Sequence, residues 1–130
     1  MNRTSNGLVL DASAVLALLN GEPGADVVKA AIDRAVISAV NLSEVVTKLT
    51  EDFTVEESRA TVASLDLPVV AFDDAQAYAA GALRPLTRAA GLSLGDRACL
   101  ACAQGLGAAV LTSERAWADL SIGVQVRLIR

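Results

Sequence analysis

Four carboxylates stand at comparable places along this chain. Asp11 closes the apolar run in GLVLDASAVLALL, Glu44 sits in VNLSEVV, Asp96 opens SLGDRACLA, and Glu114 follows VLT in VLTSERAW. Carboxylates gathered in one cleft repel and raise one another's pKa unless a positive charge intervenes. The chain contains no histidine, so the natural compensator is a hard cation with oxygen ligands, Mg²⁺ or Mn²⁺. Such an ion polarises a phosphoryl oxygen and lowers the pKa of a bound water, which is the chemistry of phosphate ester hydrolysis. Ser13, Asn41 and Thr112 lie close by in sequence and suit hydrogen bonds to a carboxylate or a metal-held water, although each equally suits a turn or a helix cap.

Each acid also has a plainer explanation. Acids near a helix N-terminus complement its dipole, and Ser, Thr, Asp or Asn followed three residues later by an acid resembles a capping box. Asn41 with Glu44 and Ser93 with Asp96 match that spacing, and so does Thr54 with Glu57, which has no strand before it. Local pattern therefore does not separate a cap from a site, and only the set of acids on one rim points to chemistry.

What must position them is legible as alternation. Short apolar runs predict strands at Leu8–Leu10, Ala35–Ala39, Pro68–Phe72, Ala109–Thr112 and Val124–Ile129. Between them, helical patterns cover Ala14–Leu19, Ala25–Arg34, Leu42–Glu51, Val55–Leu65, Ala75–Leu83 and Leu94–Leu106. Gly21, Gly91, Gly105 and Gly107 supply stops, while Pro23 and Pro85 mark turns or first helical turns. Strands that alternate with helices and lack a polar face predict an α/β domain with a parallel sheet of about five strands covered on both sides. Ligands of such sheets bind beyond the carboxyl ends of the strands. Asp11, Glu44 and Glu114 all fall on that rim.

Composition bounds the rest. The 130 residues are 53% hydrophobic but only 3% aromatic, which predicts one domain, residues 1–130, with a core of Ala, Val and Leu. No run approaches the ~20 apolar residues of a membrane helix, and the start MNRTSNG shows no signal-peptide pattern, so the expectation is a cytoplasmic protein without membrane contact. Asn2-Arg3-Thr4 and Asn41-Leu42-Ser43 match the glycosylation pattern by coincidence. A net charge of −4 argues against broad nucleic-acid binding but not against binding confined to a pocket that holds metal. Cys99 and Cys102 form CLAC. Zinc would need a second Cys or His pair, and a helical Ala-rich setting favours two buried cysteines over a redox pair.

LVLDASAVLALLNGEPG, ISAVNLSEVV, LSLGDRACLACA and VLTSERAWADL, in this order over about Leu8 to Ile129, resemble the signature segments of the PIN-domain ribonucleases, most closely the toxins of bacterial VapBC-type toxin–antitoxin pairs. The resemblance implies a three-layer α/β/α sandwich, an acidic pocket for Mg²⁺ or Mn²⁺, and endonucleolytic cleavage of RNA. Residue by residue, the family's acids fall on Asp11, Glu44, Asp96 and Glu114. The fourth is usually aspartate, so Glu114 is a departure, with Asp119 a possible substitute. On this reading Asp11 and Asp96 hold the metal, Glu44 completes or tunes its shell, and water is the nucleophile. Arg84, Arg88, Arg97 and Arg115 are the candidates to meet RNA phosphates; Arg97 is equally suited to pair with Asp96, and the others to be solvated surface charges. The resemblance further implies a homodimer and a cognate antitoxin, one of whose arginines would pair with the carboxylates. Other readings are weaker. An aspartyl-type phosphatase wants a second Asp where Ser13 stands, a phosphoacceptor receiver wants a further acidic pair and a late-strand lysine, and no GxGxxG supports a dinucleotide site. A non-catalytic PIN-like module that binds RNA or protein is the alternative that Glu114 keeps open.

Overall fold

A computed structural model describes residues 7–130; the Asn2-Arg3-Thr4 sequon and most of the leading MNRTSNG lie outside the described residues. Five strands form one sheet: β1 (Leu8–Leu10), β2 (Ala35–Ser38), β3 (Val69–Val70), β4 (Ala109–Thr112) and β5 (Val126–Leu128). Their order is β3-β2-β1-β4-β5, and every pairing is parallel. Seven α-helices flank the sheet among the described residues: α1 (Ala12–Asn20), α2 (Ala25–Ala31), α3 (Ala39–Leu49), α4 (Val55–Ala63), α5 (Asp74–Ala82), α6 (Arg84–Thr87) and α7 (Leu94–Leu106). The result is the expected α/β/α three-layer arrangement.

Period-2 geometry explains why the strands are apolar throughout. Successive side chains point to opposite faces, so Leu8 and Leu10 enter one core with Ala14, Val15, Ile37 and Leu111, while Val9 enters the other with Leu100, Val110 and Trp117. β1 is central and buried on both faces, which leaves Asp11 at its carboxyl end as the first polar side chain along it. The order reverses direction across β1, so its C-terminal rim is the crevice that open parallel sheets use.

Several boundaries differ from the sequence expectation, each for a local reason. β2 stops at Ser38, whose hydroxyl accepts from the Val40 N–H at 3.3 Å, and α3 starts there without a loop. Asn41 is consequently inside the helix and buried, not its cap, which also rules it out as a glycan acceptor. Asp11 caps α1 directly, so that helix begins at Ala12. β3 is reduced to two residues at the sheet edge and β5 to three. The expected helix over Ala25–Arg34 tightens into a 3₁₀ turn at Ile32–Arg34. α6, begun by Pro85 in its first turn, and a 3₁₀ helix at Arg115–Asp119 are additions. Gly105 lies within α7 and does not stop it; the stop is Gly107, whose φ of 64° suits a residue without Cβ.

Cys99 and Cys102 are free, buried and on α7. Burial first, then the charges of Asp11, Cys102, Asp96 and Glu44, push the Cys99 thiol well above its ordinary value, and burial lifts Cys102 to about 11. Both stay protonated near neutrality, which removes them as nucleophiles. A groove of about 570 Å³, lined chiefly by Leu42, Val46, Val62, Leu67 and Val69, lies on the α3–α4 side. No helix among the described residues is long and apolar enough to cross a membrane.

Candidate functional site

Asp11 anchors the rim. It is 5% exposed, and its Oδ1 accepts from the Ala14 N–H at 2.9 Å and the Ser13 hydroxyl at 2.7 Å. Its Oδ2 accepts from the Thr112 hydroxyl at 2.6 Å. Each hydroxyl is itself an acceptor: Ser13 Oγ takes the Ser113 N–H and Thr112 Oγ1 takes the Glu114 N–H, both at 3.0 Å. A hydroxyl has one proton, so accepting from an amide leaves that proton for the carboxylate. Two relays thus fasten the segment after β4 to Asp11 and set where Glu114 leaves the sheet.

Burial is the main influence on Asp11 and raises its pKa. Bonds from Thr112, Ser13 and Ala14 oppose that rise, and the negative charge of Glu114 adds to it. Thr112→Val keeps the side-chain shape but removes the largest of those bonds and orphans the Glu114 amide. We expect a loss of about 1–3 kcal/mol at neutral pH, the penalty of unsatisfied buried polar groups, read from urea midpoints. An NMR titration of the Asp11 carboxyl is expected to show its pKa moving further up.

Glu44 stands in the second turn of α3 and is exposed. Asn41, one turn earlier and 1% exposed, donates through Nδ2 to Glu44 Oε1 at 2.8 Å and to the Gly95 carbonyl at 3.0 Å. Its Oδ1 is buried without a partner. The Glu44 carboxylate lies over Gly95 in α7, where a Cβ built on that glycine would collide with Glu44 Oε2 and Cδ and come within 2.6 Å of Oε1. Asp96 follows immediately and forms a true capping box: its Oδ2 accepts from the Ser93 N–H at 2.9 Å while Ser93 Oγ accepts from the Asp96 N–H at 3.2 Å.

The plainer readings therefore hold for some acids and not others. Asp11 and Asp96 do cap helices, as Glu57 does in its own box with Thr54. Glu44 is mid-helix and Glu114 makes no side-chain cap bond at the head of its 3₁₀ helix. Asp119 is exposed at that helix's far end. Arg97 does not pair with Asp96; its Nη1 donates to the Ala80 carbonyl near the end of α5 at 3.0 Å, and its Nε is buried without a partner. Arg84, Arg88 and Arg115 are exposed. Among the described residues the ion pairs are Lys48–Glu51 and Arg130–Glu22, both away from Asp11. Gly95 is the contributor that motif reading passes over, and its signal was a glycine in the first turn of a helix, where it is worth about 1 kcal/mol less than alanine.

Among the described residues no three acidic or thiol side chains converge closely enough to hold an ion between them directly. The donors nonetheless fit Mg²⁺ or Mn²⁺ in kind. All are oxygens, three of the roughly four acceptor positions of the Asp11 carboxylate are used, and the buried Asn41 Oδ1 lacks a donor. An ion that keeps several waters reaches such donors partly through them, and a water is the donor that Asn41 Oδ1 wants.

The PIN-domain family model matches residues 8–122. Among solved structures, DNA-bound VapBC from Salmonella typhimurium has TM-score 0.76 at 19% identity, over 96% of this chain and 99% of that one. A toxin–antitoxin complex from Klebsiella pneumoniae has TM-score 0.75 at 20% identity, over 95% and 98%. VapBC-5 from Mycobacterium tuberculosis, described as a member of the VapBC family of toxin–antitoxin systems, has TM-score 0.64 at 26% identity, over 97% and 98%. No curated protein matches the sequence.

Proposed function

The chain belongs to the PIN-domain family, and from that premise we propose that it is the toxin of a VapBC-type pair: a Mg²⁺- or Mn²⁺-dependent endoribonuclease. The observation that carries the reading is Asp11. A carboxylate this buried at the carboxyl end of the central strand, with Glu114 raising its pKa and no cationic partner among the described residues, is a poor structural choice and a good ligand.

Asp11 and Asp96 would hold the ion, with Glu44 and Glu114 completing its surroundings. When bound, it supplies the polarisation of a phosphoryl oxygen and the acidification of a water. The chain's own residues do the rest. Ser13 and Thr112 keep the Asp11 carboxylate in one orientation. Thr112 also holds the Glu114 backbone, while Asn41 holds the Glu44 carboxylate. Arg84, Arg88 and Arg115 are exposed cations suited to RNA phosphates, whereas Arg97 is engaged with Ala80 and belongs to the scaffold. The proposed assembly is a homodimer with a cognate antitoxin whose arginine pairs with the freed carboxylates. The VapBC and toxin–antitoxin structures among the structural neighbours support the antitoxin.

The test is purified protein on total bacterial RNA in Mn²⁺ or Mg²⁺. Discrete fragments that disappear with chelator and in Asp11→Asn are expected. RNA that binds but stays whole in both metals, and is still whole after Glu114→Asp, supports the non-catalytic module instead. Co-expression with the product of a neighbouring gene is expected to suppress cleavage.

A further inference from the structure

We infer that Gly95 and Asn41 are positioning residues for Glu44: the missing side chain of Gly95 is the seat of the Glu44 carboxylate, and Asn41 pins the carboxylate there. The inference rests on the metal-centre reading above and adds to it Gly95, which touches no metal or substrate itself, as the seat against which Asn41 holds the carboxylate.

Small residues in helices usually let another backbone come close. Gly95 is different. The atoms nearest its vacant Cβ position are Glu44 Oε2, Cδ and Oε1, which are the tip of an exposed, flexible side chain and not backbone. An alanine here is accommodated by swinging Glu44 outward, with the helices left where they are. The vacancy therefore protects the place of a carboxylate, not the fit of two helices.

Asn41 makes the same point from the other helix. Its Nδ2 faces two acceptors, Glu44 Oε1 and the Gly95 carbonyl, which fixes the amide's orientation. The carboxylate is thereby tied to the start of α7, one residue from Asp96, across 54 positions of sequence. The amide's other end, Oδ1, is left buried and unpartnered, and so can accept a hydrogen bond from a water of the metal shell. A helix-packing role for Asn41 would not require Glu44 at all.

The experiment is Gly95→Ala, alone and with Glu44→Ala. Mn²⁺ affinity is measured by calorimetry without RNA, thermal midpoint by circular dichroism, and the Asn41 side-chain amide by NMR in metal-free protein. For Gly95→Ala we expect an unchanged or raised midpoint, since alanine favours the helix. Mn²⁺ affinity is expected to fall about 10–100-fold, the scale of losing a supporting group around a metal. The Asn41 amide signal is expected to move toward its position in Glu44→Ala. In the Glu44→Ala background the same glycine change should leave Mn²⁺ affinity where it is. Unaltered Mn²⁺ affinity and an unmoved Asn41 signal in Gly95→Ala overturn the inference. So does a large drop in midpoint that persists without Glu44, which would mark a packing glycine. The two readings fail separately: an Asn41 signal that moves in a protein that binds no Mn²⁺ removes the metal centre while Glu44 positioning stands. RNA left whole by a protein that binds Mn²⁺ removes only the nuclease.

Discussion

Asp11→Asn is expected to cut RNA cleavage by at least about a hundredfold, the upper end of what losing even an outer-shell group does to a metal site, while leaving the fold as stable as before or more so. Asparagine keeps an oxygen for the Ala14 amide and the Ser13 hydroxyl, and turns its Nδ2 toward Thr112 Oγ1, which then accepts. The buried charge is gone, and with it the desolvation that dominates the Asp11 environment. The sign of the pH dependence follows from linkage. Burial raises the folded-state pKa of Asp11 above its ordinary 3.8, so the folded protein holds that proton more tightly than the unfolded chain. Its contribution to stability is therefore present in acid and declines as pH rises through the folded-state value. The variant lacks this decline, so its advantage over the parent is expected to widen from acid toward neutral pH. Urea midpoints across that range check it. Parallel curves would mean that Asp11 is not the strained group described here.

The second large effect concerns the segment that carries Glu114. Trp117 is the chain's only tryptophan and is 2% exposed within the 3₁₀ helix Arg115–Asp119. It packs in the core with Val9, Leu100 and Val110, and its backbone N–H donates to the Glu114 carbonyl at 3.1 Å. Neighbours in this core are mostly small, so they cannot collapse into the space a tryptophan leaves. Trp117→Ala is expected to cost about 3–5 kcal/mol, or roughly 10–20 °C in Tm for a chain of this size, followed by far-ultraviolet circular dichroism. Trp117→Phe should lose much less. A drop of only a degree or two for the alanine variant would contradict this account of the β4–β5 corner.

Much of this architecture was legible because strand and helix periods are hard to counterfeit. Leu8–Leu10 and Ala109–Thr112 match their expected strands and Leu94–Leu106 its expected helix, since each is uniformly apolar or amphipathic and ends at Asp11, Ser113 or Gly107. Boundaries failed where side-chain bonds decide them. Nothing in SAVNLSE says that Ser38 rather than Asn41 takes the cap, because both residue types cap well. The short pieces at Arg84–Thr87 and Arg115–Asp119 carry too few residues for a period to show. Within the site, the addresses of Asp11 and Glu114 followed from strand ends. The relays through Ser13 and Thr112 and the seat of Glu44 on Gly95 did not, because they join residues that share no local pattern and depend on how β4 and α7 come to lie against the first half of the chain.

That distance in sequence has a consequence for when the Asp11 site is assembled. Asp11 meets Thr112 across 101 positions, and Ser13 meets Ser113 across 100. Chains emerge from the ribosome N-terminus first and begin to fold in that order. Through most of its synthesis the chain has Asp11 without the Thr112 hydroxyl, without Glu114, and with its central strand β1 unpaired on the β4 side. A growing chain in that condition has not yet assembled the surroundings of Asp11, and a chain that breaks off before Thr112 never does. The site closes only after Thr112 and Glu114 have both been made.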